Sequence, residues 1–334
     1  MVIASAMQPI WRFMVENNTQ LKEMIRSMVI DLLQGQKQEA ASSQPVKQAP
    51  RGQVEPGVFD TVDDAIQAAK AAQARFEDCT LATREKVIAD IRAAMRPRVQ
   101  ELAQKTVEET GMGRVADKVL KLNLTLDKTP GVEDLVTECE TGDNGMTLYE
   151  LSAYGVIGAI TPSTNPAETL ICNTIGMLAA GNAVFFSVHP GAKHLSRLLV
   201  SELNQIIAKS IGIENLIVTL REPSIESAQE MMLHPDVSLL VVTGGPGVVK
   251  QALQSGKKVI GAGAGNPPAF VDETADIKKA AQDIVLGASL DNNILCIAEK
   301  SVVAMRQIEP QLVQEMVKVG CVLIDNQQDI QRLV

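Results

Sequence analysis

Between residues 183 and 263 the sequence alternates short apolar runs with amphipathic stretches of helical length, which restricts the possible folds more than any other feature of the chain. The runs 183–190 and 237–244 are rich in Val, Leu and Phe and have the length of buried strands. The stretch 193–212 between them places apolar residues at helical spacing. Strands joined by helices pair in parallel. The sequence therefore predicts an α/β fold, with a parallel sheet covered by helices on both faces.

The other predicted elements extend this pattern in both directions along the chain. The predicted strands are 147–162, 215–220 and 257–263, and the predicted helices are 224–234 and 246–256. Residues 61–128 are alanine-rich and helical in pattern, with Thr61 and Thr83 as predicted N-caps and Gly111 as a predicted C-cap. No motif in 61–128 indicates chemistry.

The N-terminal part of the chain has a different character. Residues 19–33 place apolar side chains on one face of a helix, so we predict an amphipathic helix within 1–34. Residues 35–57 are rich in Gln, Ser, Pro and Gly, which predicts a flexible linker. The helix could pack on its own domain or dock on another protein. The long linker favours docking, because a helix packed on its own domain needs no tether of this length.

Composition excludes several classes of function. The net charge is −9, and an acidic chain repels phosphates, so we expect no nucleic-acid partner. No run of about 18 apolar residues occurs, so we expect no membrane-spanning segment. The five cysteines are scattered without a paired framework, which is typical of reduced thiols in the cytoplasm. The three histidines match no metal-binding pattern, and we expect no metal site.

Two residues of the sequence are candidates for catalysis. Cys296 lies in the segment SLDNNILCIAEK, where it is either a buried structural thiol or a nucleophile that can form and release a thioester. Asn165 lies in the loop TPSTNP, where it either forms a turn or directs its amide at a developing oxyanion. No histidine lies near Cys296 in the sequence, which argues against a papain-type hydrolase.

Glycine-rich segments follow two of the predicted strands. TGGPG, residues 243–247, opens a helix, so it is either a tight turn or a phosphate site at a helix N-terminus. GAGAGNPP, residues 261–268, is not a dinucleotide fingerprint, because prolines follow it where a helix should begin. We interpret it as a wall where the backbone lies close to a ligand or a catalytic group.

Five segments together resemble a known family. They are TPSTNP (161–166), AAGNAVFFSVHP (179–190), VVTGGPGVVKQA (241–252), GAGAGNPPAFVDETAD (261–276) and ASLDNNILCIAEK (288–300). In this order they are similar to the aldehyde dehydrogenase superfamily, specifically to the CoA-acylating acetaldehyde and propionaldehyde dehydrogenases of bacterial microcompartments. The resemblance implies a Rossmann-like NAD-binding domain at 58–262 and an incomplete α/β catalytic domain at 263–334, because family members continue further.

The resemblance also implies roles for individual residues. Cys296 matches the family's nucleophile, and Asn165 matches the amide that stabilises the oxyanion together with the cysteine backbone N–H. His189 stands where hydrolytic members carry a lysine on the adenosine side of the cofactor site. The implied cofactor-binding residues are Thr161, Pro162, Ser163, His189, Thr243, Gly244, Gly245 and Gly263.

One departure from the hydrolytic members indicates the product. They carry a glutamate at the position of Ala262, as general base for the water that cleaves the thioester. Without that base, attack by water is slow and a thiol such as coenzyme A is needed. We therefore expect a short-chain aldehyde, acetaldehyde or propionaldehyde, to be oxidised with NAD and coenzyme A to acyl-CoA. The alternatives are an inactive truncated homologue that acts as a docking module, and a reductase that runs the reaction in reverse.

The resemblance implies partners and a location as well. We expect residues 19–33 to dock on a microcompartment shell protein, and the protein to act in the cytoplasm inside that compartment. Family members form oligomers through strands that correspond to residues 141–155, so a homo-oligomer is expected for the full-length protein.

Overall fold

Residues 55–333 are described by the computed structural model and divide into two compact units. The larger unit comprises Glu55–Pro267 and Gln282–Lys300, and the smaller contains Pro268–Ala281 and the described residues from Ser301 onward. The predicted helix within 1–34 and nearly all of the predicted linker 35–57 lie outside the described residues.

The strands and helices are numbered here in chain order. The strands are β1 (Val58–Phe59), β2 (Glu138–Gly142), β3 (Gly145–Tyr149), β4 (Val156–Ile160), β5 (Ala183–Ser187), β6 (Ile217–Leu220), β7 (Val237–Thr243), β8 (Lys258–Ala262), β9 (Pro268–Val271) and β10 (Ser301–Ala304). The helices are α1 (Val62–Glu77), α2 (Leu81–Met95), α3 (Val99–Thr110), α4 (Val115–Lys128), α5 (Pro166–Ala179), α6 (Lys193–Ile211), α7 (Ile225–Leu233), α8 (Pro246–Leu253), α9 (Ile277–Ser289), α10 (Glu309–Lys318) and α11 (Gln327–Leu333).

A six-stranded parallel sheet forms the centre of the larger unit, with the strand order β1-β6-β5-β4-β7-β8. Helices α5 and α6 contact each other and pack on β5 and β6, while α1 and α7 contact each other and pack on β4 and β5. All residues of β4 and β5 are buried, as expected for strands covered on both faces. The predicted α/β fold with a parallel sheet is therefore confirmed.

One predicted strand is wrong. Residues 147–162 form two strands in different sheets, because β3 pairs antiparallel with β2 in an exposed hairpin while β4 lies in the central sheet. Gly155, between them, has φ +107°, which breaks the extended backbone. The continuous β-branched and apolar run concealed this break.

The helix ends in 61–128 follow the expected capping chemistry with one correction. The Thr61 side chain accepts a hydrogen bond from the Asp64 backbone N–H, and Gly111 ends α3 in the left-handed region with φ 66°, so both predicted caps are confirmed. The predicted N-cap Thr83 is wrong. Thr80 caps α2, and its side chain accepts from the Thr83 backbone N–H at 3.2 Å.

The smaller unit contains a parallel pair of strands, β9 and β10, followed by α10 and α11. Within the described residues, no helix has both the length and the apolar character needed to cross a membrane.

Candidate active site

The central sheet reverses its direction of growth at β4. From β4 the chain proceeds through β5 to β6 on one side, and then returns to place β7 and β8 on the other side. Ligands of parallel α/β folds bind at the carboxyl ends of strands at such a switch point. A pocket of about 480 Å³ lies there, lined by the ends of β4, β5, β7 and β8 and by the cysteine segment, residues 289–300. Ten residues singled out in the sequence all line it: Thr161, Pro162, Ser163, Asn165, His189, Thr243, Gly244, Gly245, Gly263 and Cys296.

The loop after β4 presents Asn165 to this pocket. Asn165 precedes α5, but its side chain makes no capping hydrogen bond to the helix. Its Nδ2 donates to Thr164 Oγ1 at 3.2 Å, and its Oδ1 accepts from the ammonium of Lys121. The side chain is therefore held by groups outside α5, which distinguishes it from an asparagine that serves the turn alone.

The walls at the ends of β4 and β7 provide polar groups for a ligand. The Thr161 hydroxyl is buried in the pocket wall without a hydrogen-bond partner among the described residues. A buried hydroxyl of this kind needs a partner, which a bound ligand can supply. Gly244 and Gly245 follow β7, and Gly245 precedes the first turn of α8, so the predicted strand–turn–helix context of TGGPG is confirmed.

The opposite wall is formed by the turn after β5. The exposed His189 accepts a hydrogen bond through Nδ1 from the Gly191 backbone N–H at 3.0 Å. Helix α6 begins directly after this turn, and Glu109 of α3 accepts hydrogen bonds from its second and third backbone N–H groups, at 2.8 and 2.7 Å. Glu109 thus anchors the helix that follows the His189 turn.

The cysteine segment has an unusual backbone. Asp291, Asn292 and Asn293 are consecutive residues in the left-handed region, with φ values of 50°, 56° and 61°. Asp and Asn tolerate this region better than other side chains, and each such residue still costs about 1–2 kcal/mol. The Asn293 Nδ2 donates to the carbonyls of Ala288 and Glu299 at 2.6 and 3.0 Å, which closes the segment on itself.

Cys296 is exposed to the pocket and unpaired. No described residue accepts a hydrogen bond from its backbone N–H, so this donor is free for an incoming oxygen. A methyl group on Gly265 would lie 2.0 Å from the Cys296 carbonyl oxygen. Gly265, the third glycine of GAGAGNPP, therefore permits a close approach of its backbone to the cysteine. This is the arrangement that we predicted for the segment.

A buried cluster of charges lies behind Asn165 and Cys296. Lys118 and Lys121 of α4 both contact Asp291, which is fully buried, and Lys121 also lies 3.3 Å from Glu168 of α5. Burial would raise the pKa of Asp291, but hydrogen bonds from Lys121, the Arg114 backbone and Lys118 outweigh it and hold that pKa below its ordinary value. Burial is the largest effect on Lys118 and lowers the pKa of its ammonium.

The sequence interpretation of 61–128 as free of chemistry missed these lysines. Lys118 and Lys121 are buried on the same side of α4 as Leu122 and Leu126. A charged residue on the apolar face of an amphipathic helix is rare unless it has a partner. That pattern was the available signal, although it could not identify Asp291 as the partner.

A family model described as "Aldehyde dehydrogenase family" matches residues 33–323. The chain belongs to the aldehyde dehydrogenase family.

Similar proteins place it close to the CoA-acylating branch. The chain is 48% identical to "Propanal dehydrogenase (CoA-propanoylating)" of Salmonella typhimurium over 92% of its own length and 64% of that protein. It is 49% identical to "Acetaldehyde dehydrogenase (acetylating) EutE" of Escherichia coli, over 78% of the chain and 56% of that protein. The predicted resemblance is confirmed.

Solved structures give the same picture. A Rhodopseudomonas palustris propionaldehyde dehydrogenase with bound CoA and an acylated cysteine matches with a TM-score of 0.80 and 50% identity, over 84% of this chain and 64% of that one. A propionaldehyde dehydrogenase from the Clostridium phytofermentans fucose utilisation microcompartment matches with a TM-score of 0.79 and 51% identity. The match covers 82% of this chain and 63% of that one. The chain thus spans slightly less than two thirds of these proteins.

Proposed function

We propose that the protein is a CoA-acylating aldehyde dehydrogenase that oxidises acetaldehyde or propionaldehyde with NAD and coenzyme A to acyl-CoA and NADH. The observation that carries this proposal is the convergence of Cys296, Asn165 and the strand ends on one pocket, where Ala262 contributes no acid–base group. Relatives with this chemistry in their names support the reaction type.

Catalysis begins with attack of the Cys296 sulfur on the aldehyde carbonyl, which forms a carbon–sulfur bond and an oxyanion. The Asn165 amide and the free Cys296 backbone N–H donate to that oxygen as its charge develops. Collapse of the oxyanion restores the carbonyl as a hydride leaves the carbon, so that Cys296 carries the acyl group as a thioester. The thiolate of coenzyme A then displaces Cys296 and takes the acyl group with it.

The residues of the pocket fit a dinucleotide. The unpartnered Thr161 hydroxyl and the backbone N–H of Gly245, directly before α8, offer donors for phosphate or ribose oxygens, whereas the Gly244 N–H already donates to the Ala262 carbonyl at 3.1 Å. His189 stands on the wall that we assign to the adenosine. When bound, NAD supplies the hydride acceptor.

The proposal is tested by NADH formation from propanal and NAD, with and without coenzyme A. We expect NADH formation that needs coenzyme A and is lost in Cys296→Ala. Cys172→Ala is the matched control, because Cys172 is exposed on α5 but does not line the pocket. Turnover without coenzyme A would mean that water deacylates the enzyme and that the interpretation of Ala262 is wrong. Absence of NADH under all conditions would favour the docking-module alternative for this chain.

The proposed partners follow from the same assignment. We assign a shell-docking role to residues 19–33 and a cytoplasmic location within a microcompartment, and we expect self-association through the β2–β3 hairpin. Removal of residues 1–34 should abolish encapsulation and leave the Cys296 chemistry unchanged. Encapsulation that persists without these residues would contradict the docking role.

A further inference from the structure

We propose that Lys121 is a positioning residue that fixes the orientation of the Asn165 amide and couples it to the cysteine segment. The inference rests on the proposed function, because it assigns Asn165 to the oxyanion. Lys121 does not line the pocket, so it acts through Asn165 and Asp291 and not on the substrate.

The ammonium of Lys121 lies among three side-chain oxygens and donates a hydrogen bond to two of them. The two acceptors are Asn165 Oδ1 and Asp291 Oδ2, whereas Glu168 Oε1 lies 3.3 Å from the ammonium as an ion-pair partner without a hydrogen bond. The three residues belong to the loop after β4, the cysteine segment and the first turn of α5. Because an ammonium donates hydrogen bonds and accepts none, Lys121 holds the oxygens of Asn165 and Asp291 towards the same point.

This contact decides which way the Asn165 amide faces. An asparagine side chain can rotate by 180° and exchange its oxygen for its NH₂ group. With Lys121 as the neighbour, the exchanged orientation would place the NH₂ donors against a cation, which is unfavourable. The oxygen therefore stays on Lys121, and the NH₂ group is directed away from it, to Thr164 Oγ1 and the substrate oxygen.

Lys118 reinforces the same link from one helical turn away. Its Nζ donates to the carbonyl of Thr164 at 2.5 Å and lies 3.0 Å from Asp291 Oδ2. Residues three apart lie on the same side of a helix, so both lysines connect the loop after β4 to the cysteine segment. Asp291 also accepts from the Arg114 backbone N–H at 2.9 Å, which fixes it to the start of α4. Helix α4 thus holds the two sources of oxyanion donors in a constant relation.

The test uses aldehyde protection of Cys296, which requires only the first chemical step. Propanal forms a thiohemiacetal on Cys296 and so slows the alkylation of this cysteine by iodoacetamide. Mass spectrometry of the Cys296 peptide measures the alkylation rate at each propanal concentration. The half-protection concentration is the propanal concentration that halves this rate. We expect Lys121→Met to raise this concentration about tenfold. Loss of an oxyanion donor itself costs roughly 100-fold or more in kcat, and the effect here should be smaller because Lys121 only positions such a donor. Asn165→Ala should raise the half-protection concentration at least as much, and the double variant should be no worse than Asn165→Ala. The alkylation of Cys172, which is exposed on α5, is the internal reference.

Lys128→Gln, at the exposed end of the same helix, is the matched control and should behave like the wild type. Lys121→Gln is the second variant, and we expect it also to raise the propanal concentration for half-protection. It keeps a polar group beside Asp291 and Glu168, and carries the test if circular dichroism shows the methionine variant to be unfolded. Unchanged half-protection in folded Lys121 variants, or full additivity with Asn165→Ala, would overturn the inference. Failure of propanal to protect wild-type Cys296 would instead overturn the proposed function, and this inference with it.

Discussion

At the scale of single residues, the backbone around Cys296 is constrained from two sides. The left-handed turn at 291–293 delivers the chain to the cysteine, and Gly265 lies against the cysteine carbonyl. Neither constraint involves the thiol itself. Backbone contacts on either side of Cys296 therefore determine where the proposed nucleophile lies.

The contact with Gly265 makes a specific prediction. A methyl group at this position would lie 2.0 Å from the Cys296 carbonyl oxygen, so Gly265→Ala must displace the cysteine backbone. Because a shift of about 1 Å costs roughly 100-fold in rate, we expect coenzyme A-dependent NADH formation to fall about 100-fold. The measurement is kcat/KM for propanal.

Gly176→Ala is the control for this change. Gly176 lies on α5, and an added methyl group there meets no atom within 4 Å. We expect its activity to be unchanged and its free energy of unfolding to rise by about 0.5–1 kcal/mol, because alanine favours the helix. Equal activity of the two alanine variants would show that the close approach at Gly265 has no catalytic importance.

At the scale of elements, helix α4 serves as the support for the site. It faces the core with Leu122 and Leu126, as an amphipathic helix should, and it directs two lysines from the same buried side at Asp291. Because these charges are buried, loss of one partner leaves the others uncompensated. We therefore expect that breaking the link between α4 and the cysteine segment is strongly destabilising.

Asp291→Asn tests this link, and its effect should depend on pH. At pH 7 we expect the free energy of unfolding to fall by about 3–5 kcal/mol, because two buried ammonium groups lose their shared carboxylate. The pKa of Asp291 in the folded protein lies below its ordinary value of 3.8, so its contribution is fully present above that value and is lost as the pH falls through the folded pKa. We would measure the free energy of unfolding in urea from about pH 7 to about pH 3. The difference in this free energy between wild type and variant should become smaller below about pH 4.

Asp143→Asn, at the exposed turn of the β2–β3 hairpin, provides the comparison. We expect it to change the free energy of unfolding by less than about 0.5 kcal/mol at every pH. A difference for Asp291→Asn that stays constant or widens in acid would contradict the assignment of its carboxylate.

At the scale of the whole molecule, the β2–β3 hairpin stands out in the larger unit because its strands are exposed to solvent along their whole length. All ten of its strand residues are exposed, and Met146 and Leu148 are 65% and 57% exposed. Met146 pairs with Thr141, and Leu148 pairs with Cys139. Met146 and Leu148 lie on the same face of the hairpin, because alternate residues of a strand point to the same side. An isolated two-stranded ribbon with an apolar face is marginally stable in water.

We therefore expect this face to be covered by a second copy of the chain. Sedimentation velocity across a dilution series should show self-association of the wild type, and Met146→Asp with Leu148→Asp should shift the protein to the monomer. Thr147→Asp, on the opposite face of the same strand, should retain the wild-type behaviour. Identical sedimentation of all three proteins would exclude this face as the contact.

Much of this architecture could be predicted from the sequence, because local chemistry determines it. The alternation of buried strands and amphipathic helices after residue 183 is a property of each segment by itself, and the observed elements β5–β8 follow the predictions closely. Glycine and proline gave the turns after β7 and β8 for the same local reason. The motifs around Asn165 and Cys296 indicated the site residues that the structure brings to one pocket.

The remainder depended on contacts between residues far apart in the chain. A continuous apolar run cannot show that β3 and β4 belong to different sheets, because strand pairing is a property of two segments. The cluster behind the site joins Lys118 and Lys121 to Asp291, about 170 residues later. A buried charge is stable only beside its partner, and that proximity exists only once the sheet has brought α4, α5 and the cysteine segment together. The sequence by itself thus determined the elements and the reactive groups, whereas the tertiary structure decided which distant charges hold those groups in place.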